Sequence, residues 1–71
     1  MERFSNDGGV QVTVMLDSKS VASRYDGFTS FDECKRWAKE QLNSRYNRGT
    51  IFSVSAYQKS TDVYHSANIR L

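Results

Sequence analysis

The stretch "TSFDECKRWAKEQLNSR", residues 29–45, carries the longest helical pattern in this chain of 71 residues. Ser30 is a favourable N-cap residue, and Glu33 follows it at the spacing of a capping box, in which each side chain accepts a hydrogen bond from the other residue's backbone N–H. At about 100° per residue, the apolar side chains of the segment fall on one stripe: Phe31, Cys34, Ala38 and Leu42. We therefore expect one helix that packs on the rest of the protein through this stripe.

The remaining large side chains of the helix divide around the stripe. Trp37 falls on one flank, whereas Lys35 and Lys39 fall on the opposite flank. Trp37 and the lysines thus do not form one surface for nucleic acid, and we expect Trp37 to close an edge of the core. Acidic residues in the first turn and basic residues in the later turns follow the helix dipole, which explains much of the local basic charge.

Four segments outside the helix have the pattern of β-strands. "VQVTVML" (10–16) alternates apolar and polar residues, as a half-buried strand does. "VASRYDG" (21–27) is more polar, which is typical of an edge strand, and this edge is a candidate for strand addition by a partner. "TIFSVSAYQ" (50–58) and "VYHSANIRL" (63–71) alternate again and are separated by the four residues "KSTD".

The last two strands predict a defined hairpin register. An antiparallel hairpin centred on Ser60 and Thr61 places Phe52 opposite Ile69 on one face. The same register pairs tyrosines 57 and 64 on the other face. A slip of one residue would set polar side chains against apolar ones, so the alternation favours this register.

The predicted order is ββαββ, an α+β fold in which a single helix packs on one face of a small antiparallel sheet. Residues 10–71 form the one domain, and residues 1–9, which end in the turn-favouring "NDGG", are expected to form a flexible tail. A domain of this size buries only about 60% of the surface that its unfolded chain exposes. Homodimerisation is one way for such a domain to gain stability.

Composition weighs against several classes of protein. The net charge of +2 is weaker than the basic excess of dedicated nucleic-acid binders. The single Cys forms no disulfide within the chain, and with a single His it supplies too few ligands for a metal site. No apolar run approaches the roughly 18 residues of a membrane span, and the N-terminus lacks the apolar region of an export signal. We expect a cytoplasmic protein without a cofactor, a metal or a membrane contact.

The residues for catalysis are also sparse. Cys34 and His65 are the one nucleophile and base pair that deserves testing, but the sequence offers no Gly-rich loop to stabilise an oxyanion. Asp32 and Glu33 are explained by helix capping, and no phosphate-binding loop, zinc-ligand spacing or GxSxG motif is present. We therefore expect a protein that is not an enzyme.

The face of the sheet away from the helix is the predicted binding surface. Its mixture of Tyr, Ser and Asn is typical of adaptable protein-binding surfaces. The predicted binding residues are Ile51, Tyr57, Tyr64, Asn68 and Arg70, with Lys35 and Lys39 as a rim. An alternative is a single-stranded nucleic-acid binder, in which the tyrosines stack on bases and Arg45 and Arg48 contact phosphates. A third interpretation is that the tyrosine pair only stabilises the sheet.

The segment "GFTSFDECKRWAKEQL…IFSVSAY", between residues 27 and 57, resembles the core of a small phage-encoded inhibitor of bacterial RNA polymerase, and that of some small anti-CRISPR proteins. The shared features are a capped helix after a short strand, followed by a strand of alternating apolar residues. The resemblance implies a phage or mobile-element accessory protein that binds a host protein complex and modulates it. It assigns no functional residue.

Overall fold

The structure, a computed structural model, describes residue 4 and residues 8–71. The predicted tail, residues 1–9, therefore lies mostly outside the described residues. The elements are β1 (Val10–Leu16), β2 (Lys19–Asp26), α1 (Phe31–Asn43), β3 (Ile51–Gln58) and β4 (Val63–Arg70). This confirms the predicted α+β class and the order ββαββ.

The four strands form one sheet in the order β2-β1-β3-β4, and each neighbouring pair is antiparallel. The strands β1 and β3 are interior, while β2 and β4 are the edges. The chain leaves the sheet at β2, passes through α1 and returns beyond β1 to form β3. The edge position predicted for the second strand is confirmed.

The hairpin of β3 and β4 has the predicted register. Phe52 pairs with Ile69, and Tyr57 pairs with Tyr64, without any register shift along the two strands. The loop that joins them, residues 59–62, has the four residues expected from the sequence. Its last residue, Asp62, has a positive φ of 55°.

The hairpin of β1 and β2 contains a bulge that the sequence pattern did not predict. Val14 pairs with Ala22, but Met15 pairs with Ser20, so Val21 is an extra residue in β2. A bulge of this kind moves every later side chain of its strand to the other face of the sheet. Without it, Tyr25 would lie on the helix side, whereas in the structure Tyr25 pairs with Gln11 on the opposite side.

The core lies between α1 and one face of the sheet. Val12, Val14 and Val54 are fully buried there, and each buried side chain of this size contributes about 1.5–3 kcal/mol. From the helix, the buried residues are Cys34, Ala38 and Leu42, which with Phe31 packed against them form the predicted stripe.

One polar side chain, Gln58, and one aromatic side chain, Phe4, extend this core toward the N-terminal segment. Gln58 is fully buried; its side-chain N–H donates to the Gly8 carbonyl at 2.9 Å, and its side-chain oxygen accepts from the Thr61 hydroxyl at 2.7 Å. Phe4 is only 4% exposed and meets the His65 ring edge-on, with the ring centroids 5.6 Å apart. These contacts hold the described part of the N-terminal segment against the domain.

The cap of α1 differs in one detail from the predicted capping box. The Ser30 hydroxyl accepts from the Glu33 N–H at 3.3 Å, as expected. The Glu33 carboxylate, however, accepts from Thr29 rather than from Ser30: from the Thr29 N–H at 2.7 Å and from the Thr29 hydroxyl at 2.6 Å. The cap is therefore closed one residue earlier in the chain than the pattern indicates.

The ends of α1 also correct the expectation about its basic residues. Asp32 and Glu33 lie in the first turn, as the helix dipole favours, but the last turn contains no basic residue because the helix ends at Asn43. Trp37, in contrast, lies where it was predicted, partly buried against the core. Its ring is 6.2 Å from the ring of Phe28 and 6.0 Å from the Arg24 guanidinium.

Candidate binding surface on the open sheet face

The face of the sheet opposite to α1 is arranged in rows that cross all four strands. The cross-strand pairs place one row near one end of the sheet: Tyr25, Gln11, Tyr57 and Tyr64, which we call the tyrosine row. The next row along the strands consists of four hydroxyl side chains: Ser23, Thr13, Ser55 and Ser66, the hydroxyl row. Large aromatic side chains therefore stand beside a band of small polar ones.

The tyrosine row is exposed, and its neighbours hold two of its rings in place. Tyr25 is 69% exposed and Tyr64 60%, while Tyr57 is 37% exposed. The Tyr57 hydroxyl donates to the Asp62 carboxylate at 3.0 Å, and this hydrogen bond raises the pKa of Tyr57 because it stabilises the protonated form. Tyr25 lies directly over Gly9, where an added Cβ would overlap its ring.

Two members of the hydroxyl row, Ser55 and Ser66, line a shallow depression on β3 and β4. The depression has a volume of about 400 Å³. The Ser53 hydroxyl donates to the Asn68 side-chain oxygen at 2.9 Å at its far margin. Its lining residues are Met15, Ser53, Ser55, Tyr64, Ser66, Ala67 and Asn68. This arrangement offers several hydrogen-bonding groups next to an aromatic wall.

The other predicted residues of this face lie farther from the tyrosines. Ile51 pairs with Arg70 at the opposite end of β3. Ile51 is six positions before Tyr57 in β3, which is about 20 Å at the usual rise of a strand. Asn68 lies between the two ends. The structure therefore brings Tyr57, Tyr64 and Asn68 onto one surface and places Ile51 and Arg70 at its far margin.

Lys35 and Lys39 do not form a rim of this surface. They line a depression of about 260 Å³ beside Ile69, on the helix side of the sheet. The Lys35 ammonium is 3.1 Å from the Asp32 carboxylate and 5.3 Å from the centroid of the Phe31 ring. The sequence interpretation combined two surfaces that lie on opposite sides of the sheet.

Arg45 and Arg48 follow the end of α1, away from the tyrosine row. The Arg45 guanidinium donates to the Val21 carbonyl at 3.4 Å and lies 5.7 Å from the Tyr46 ring centroid. Arg48 precedes Gly49, whose N–H donates to the carbonyl of Leu71 beyond β4. Both arginines are thus near the sheet end that holds Ile51, so the structure does not combine them with the tyrosines into one nucleic-acid surface.

Cys34 and His65 have surroundings that suit packing. Cys34 is fully buried, and burial raises the pKa of its thiol to about 12, far from the range of a reactive thiolate. The His65 ring stacks on Phe31 at a centroid distance of 5.3 Å, and its Nε2 is buried without a hydrogen-bond partner among the described residues. Within residues 4 and 8–71, no three His, Cys, Asp or Glu side chains lie close enough together to hold a metal ion.

Sequence reasoning missed the part of the surface that β1 and β2 contribute. Tyr25 was assigned to the second strand but not to the binding surface. In a β1–β2 hairpin without the bulge, its side chain would lie on the helix side. In β1, Gln11, Thr13 and Met15 alternate with buried valines, and this pattern indicates that they lie on the open face. Only the bulge at Val21 adds Tyr25 to that face.

Comparisons of the chain with protein-family models, with curated proteins and with solved structures gave no match. No helix among the described residues has both the length and the apolar character needed to span a membrane. The function must therefore be argued from the geometry of the surface.

Proposed function

We propose that the protein is a non-enzymatic binding module that holds a partner protein on its open sheet face. The observation that carries the proposal is the tyrosine row, whose exposed rings stand beside a band of hydroxyl groups. Tyrosine offers large, rigid contact area at low cost in conformational entropy, and small hydroxyl side chains adapt their hydrogen bonds to a partner. The favoured partner is a protein with a largely uncharged surface.

Charge separates this proposal from nucleic-acid binding. Among the strand residues of the open face that the structure describes, Arg70 alone is charged, and it lies at the far end from the tyrosine row. A nucleic-acid surface depends on cations that neutralise phosphates. The open face offers aromatic stacking without such cations, so it fits a protein better than a single strand of DNA or RNA.

The proposal is tested with the Tyr25→Ser, Tyr57→Ser double variant as bait beside the wild type. A Glu40→Ser, Gln41→Ser variant is the matched control, because both residues are exposed on α1 away from the open face. We expect one protein to be captured by the wild type and the control but lost from the tyrosine variant. Purified partner should then bind the three baits in the same order, as measured by calorimetry.

Two results would contradict the proposal. One is equal affinity of the purified partner for the tyrosine variant and the wild type. The other is a gel shift of mixed-sequence single-stranded DNA or RNA at low salt that disappears in the tyrosine variant, since this would assign the face to nucleic acid. The interpretation as a phage or mobile-element accessory protein that modulates a host complex stays a prediction, and the captured partner tests it.

A further inference from the structure

The two edges of the sheet differ in how they are protected. At β2, the bulge at Val21 interrupts the strand, and the Arg45 guanidinium donates a hydrogen bond to the Val21 carbonyl at 3.4 Å. The same strand carries the ion pair of Arg24 and Asp26. Bulges and charged side chains are devices that keep an edge strand from pairing with another chain. The edge that the sequence suggested for strand addition is therefore the protected one.

The edge strand β4 has no bulge, and its one charged side chain, Arg70, is at its last residue. Its eight residues pair with β3 without a register shift, and no described strand pairs with its outer side. It contains neither proline nor lysine. A long, regular edge strand of this kind is a template for another strand.

The backbone direction of β4 follows from the residue just after it. The Leu71 N–H donates to the Thr50 carbonyl at 2.9 Å, and the Leu71 carbonyl accepts from the Gly49 N–H at 3.0 Å, so both groups of Leu71 point toward β3. Backbone groups alternate in direction along an antiparallel strand. The residues that direct their N–H and C=O groups away from β3 are therefore Tyr64, Ser66, Asn68 and Arg70.

A depression borders β4 on each face of the sheet. On the helix side, Ile69 forms one wall and the lysine-bearing flank of α1 forms the other. On the open side, Tyr64, Ser66 and Asn68 line the second depression. Successive side chains of an added strand point to opposite faces, so its alternate residues would enter these two depressions.

Charge identifies the kind of strand that fits. The helix-side depression is lined by three cationic side chains, Lys35, Arg36 and Lys39, against a single carboxylate, that of Asp32. A second copy paired antiparallel through β4 would bring both helices to the same side of the sheet and set their lysine flanks against each other. An acidic segment instead places carboxylates beside these cations.

We propose that β4 accepts an added strand from a partner protein, an extended segment with Asp or Glu at every second position facing α1. The inference rests on the proposed protein-binding function and uses the outer edge of β4, which meets the tyrosine row at Tyr64. The partner's backbone would pair with the outward groups of β4. Its acidic side chains would lie next to Lys35 and Lys39, and its remaining side chains next to Ser66 and Asn68.

The test uses two end-blocked octapeptides, one alternating Glu with Thr and one alternating Lys with Thr. They are titrated at low salt into the ¹⁵N-labelled full chain and followed by amide NMR. We expect saturable binding of the acidic peptide, about tenfold tighter than that of the basic peptide because exposed ion pairs contribute modestly. Hydrogen exchange should slow at the outward amides of Tyr64, Ser66 and Asn68.

Two substitutions at one position separate backbone pairing from side-chain contact. Ser66→Pro removes an outward N–H without breaking a bond to β3, and proline is tolerated where the N–H of an edge strand faces solvent. Ser66→Ala keeps that N–H and is the matched control. We expect Ser66→Pro to lose peptide binding and Ser66→Ala to retain it. If Ser66→Pro does not fold, the Lys35→Glu, Lys39→Glu variant provides the test. It must bind the basic peptide more tightly than the acidic one.

Four outcomes would overturn the inference: equal binding of the two peptides, equal binding by the two Ser66 variants, a charge-reversed variant that keeps the preference for the acidic peptide, and concentration-dependent protection of β4 amides without peptide. The last outcome would make a second copy the occupant. The Tyr25→Ser, Tyr57→Ser variant should still bind the acidic peptide. Suppose that the acidic peptide does not bind the wild type, while the wild type binds the purified partner and the Tyr25→Ser, Tyr57→Ser variant does not. The strand inference would then be wrong, and the proposed function would stand.

Discussion

At the scale of single residues, aromatic side chains have different roles according to the face of the sheet on which they lie. The Tyr57 hydroxyl donates to Asp62 within an exposed row, while Phe4 and Phe31 enclose the His65 ring on the helix side. Trp37 lies between these cases, partly buried against Phe28. Position within the sheet, more than residue type, thus separates packing from binding.

Glu33 gives the stability of the protein a dependence on pH. The Thr29 hydroxyl, followed by the Thr29 backbone N–H, donates to the Glu33 carboxylate and lowers its pKa below the ordinary value of 4.5. A pKa that is lower in the folded than in the unfolded state stabilises the fold at higher pH, and this contribution is lost as pH falls through the folded-state pKa. We expect Glu33→Gln to lower the urea midpoint near neutral pH, and this difference to disappear as the pH falls through the folded-state pKa of Glu33, which lies below 4.5.

The matched control for this prediction is Glu40→Gln, which removes the same charge from an exposed position of α1. Urea midpoints measured for the three proteins across the acidic range check it. A gap between the wild type and Glu33→Gln that stays constant from neutral to acidic pH would show that the carboxylate charge does not contribute through the cap.

At the scale of elements, the turn and the bulge of the β1–β2 hairpin together set which side chains of β2 lie on the open face. Asp17 and Ser18 both have positive φ, 52° and 66°, which is the requirement of a two-residue type I′ turn. Asp17 suits the first position of this turn, but Ser18 is not the Gly that the second position prefers. The bulge at Val21 follows a few residues later and places Tyr25 on the open face.

We expect the turn to be a place where stability can be gained. Ser18→Gly removes the steric cost of a left-handed residue and should raise the free energy of unfolding by about 1 kcal/mol. The control is Ser20→Gly, the same change inside β2, which should lower it by roughly 0.5–1 kcal/mol. Urea unfolding of both variants measures the difference. Equal destabilisation by the two changes would show that Ser18 carries no strain.

At the scale of the whole molecule, sequence reasoning succeeded where the alternation is unbroken and failed where it is interrupted. The β3–β4 register followed from the alternation and from a hairpin centred on Ser60 and Thr61, because no bulge interrupts the two strands. The face of Tyr25 could not be predicted, since Asp17 and Ser18 give no Gly to mark a tight turn and nothing marks Val21 as a bulge. Lys35 and Lys39 were assigned to the rim of the open face, but they belong to α1, which packs on the other side of the sheet.

The division between a packed and an exposed side predicts different effects of two aromatic substitutions. Phe4 is 4% exposed within the core, whereas Tyr64 is 60% exposed on the open face. We expect Phe4→Ala to lower the free energy of unfolding by about 3 kcal/mol, as large-to-small changes in a core do. Tyr64→Ala should lower it by about 1 kcal/mol or less, since only a cross-strand contact is lost. Urea unfolding at neutral pH gives both values. A cost for Phe4→Ala no larger than that for Tyr64→Ala would show that the domain is stable without its N-terminal aromatic contact, and would limit the folded unit to residues 10–71.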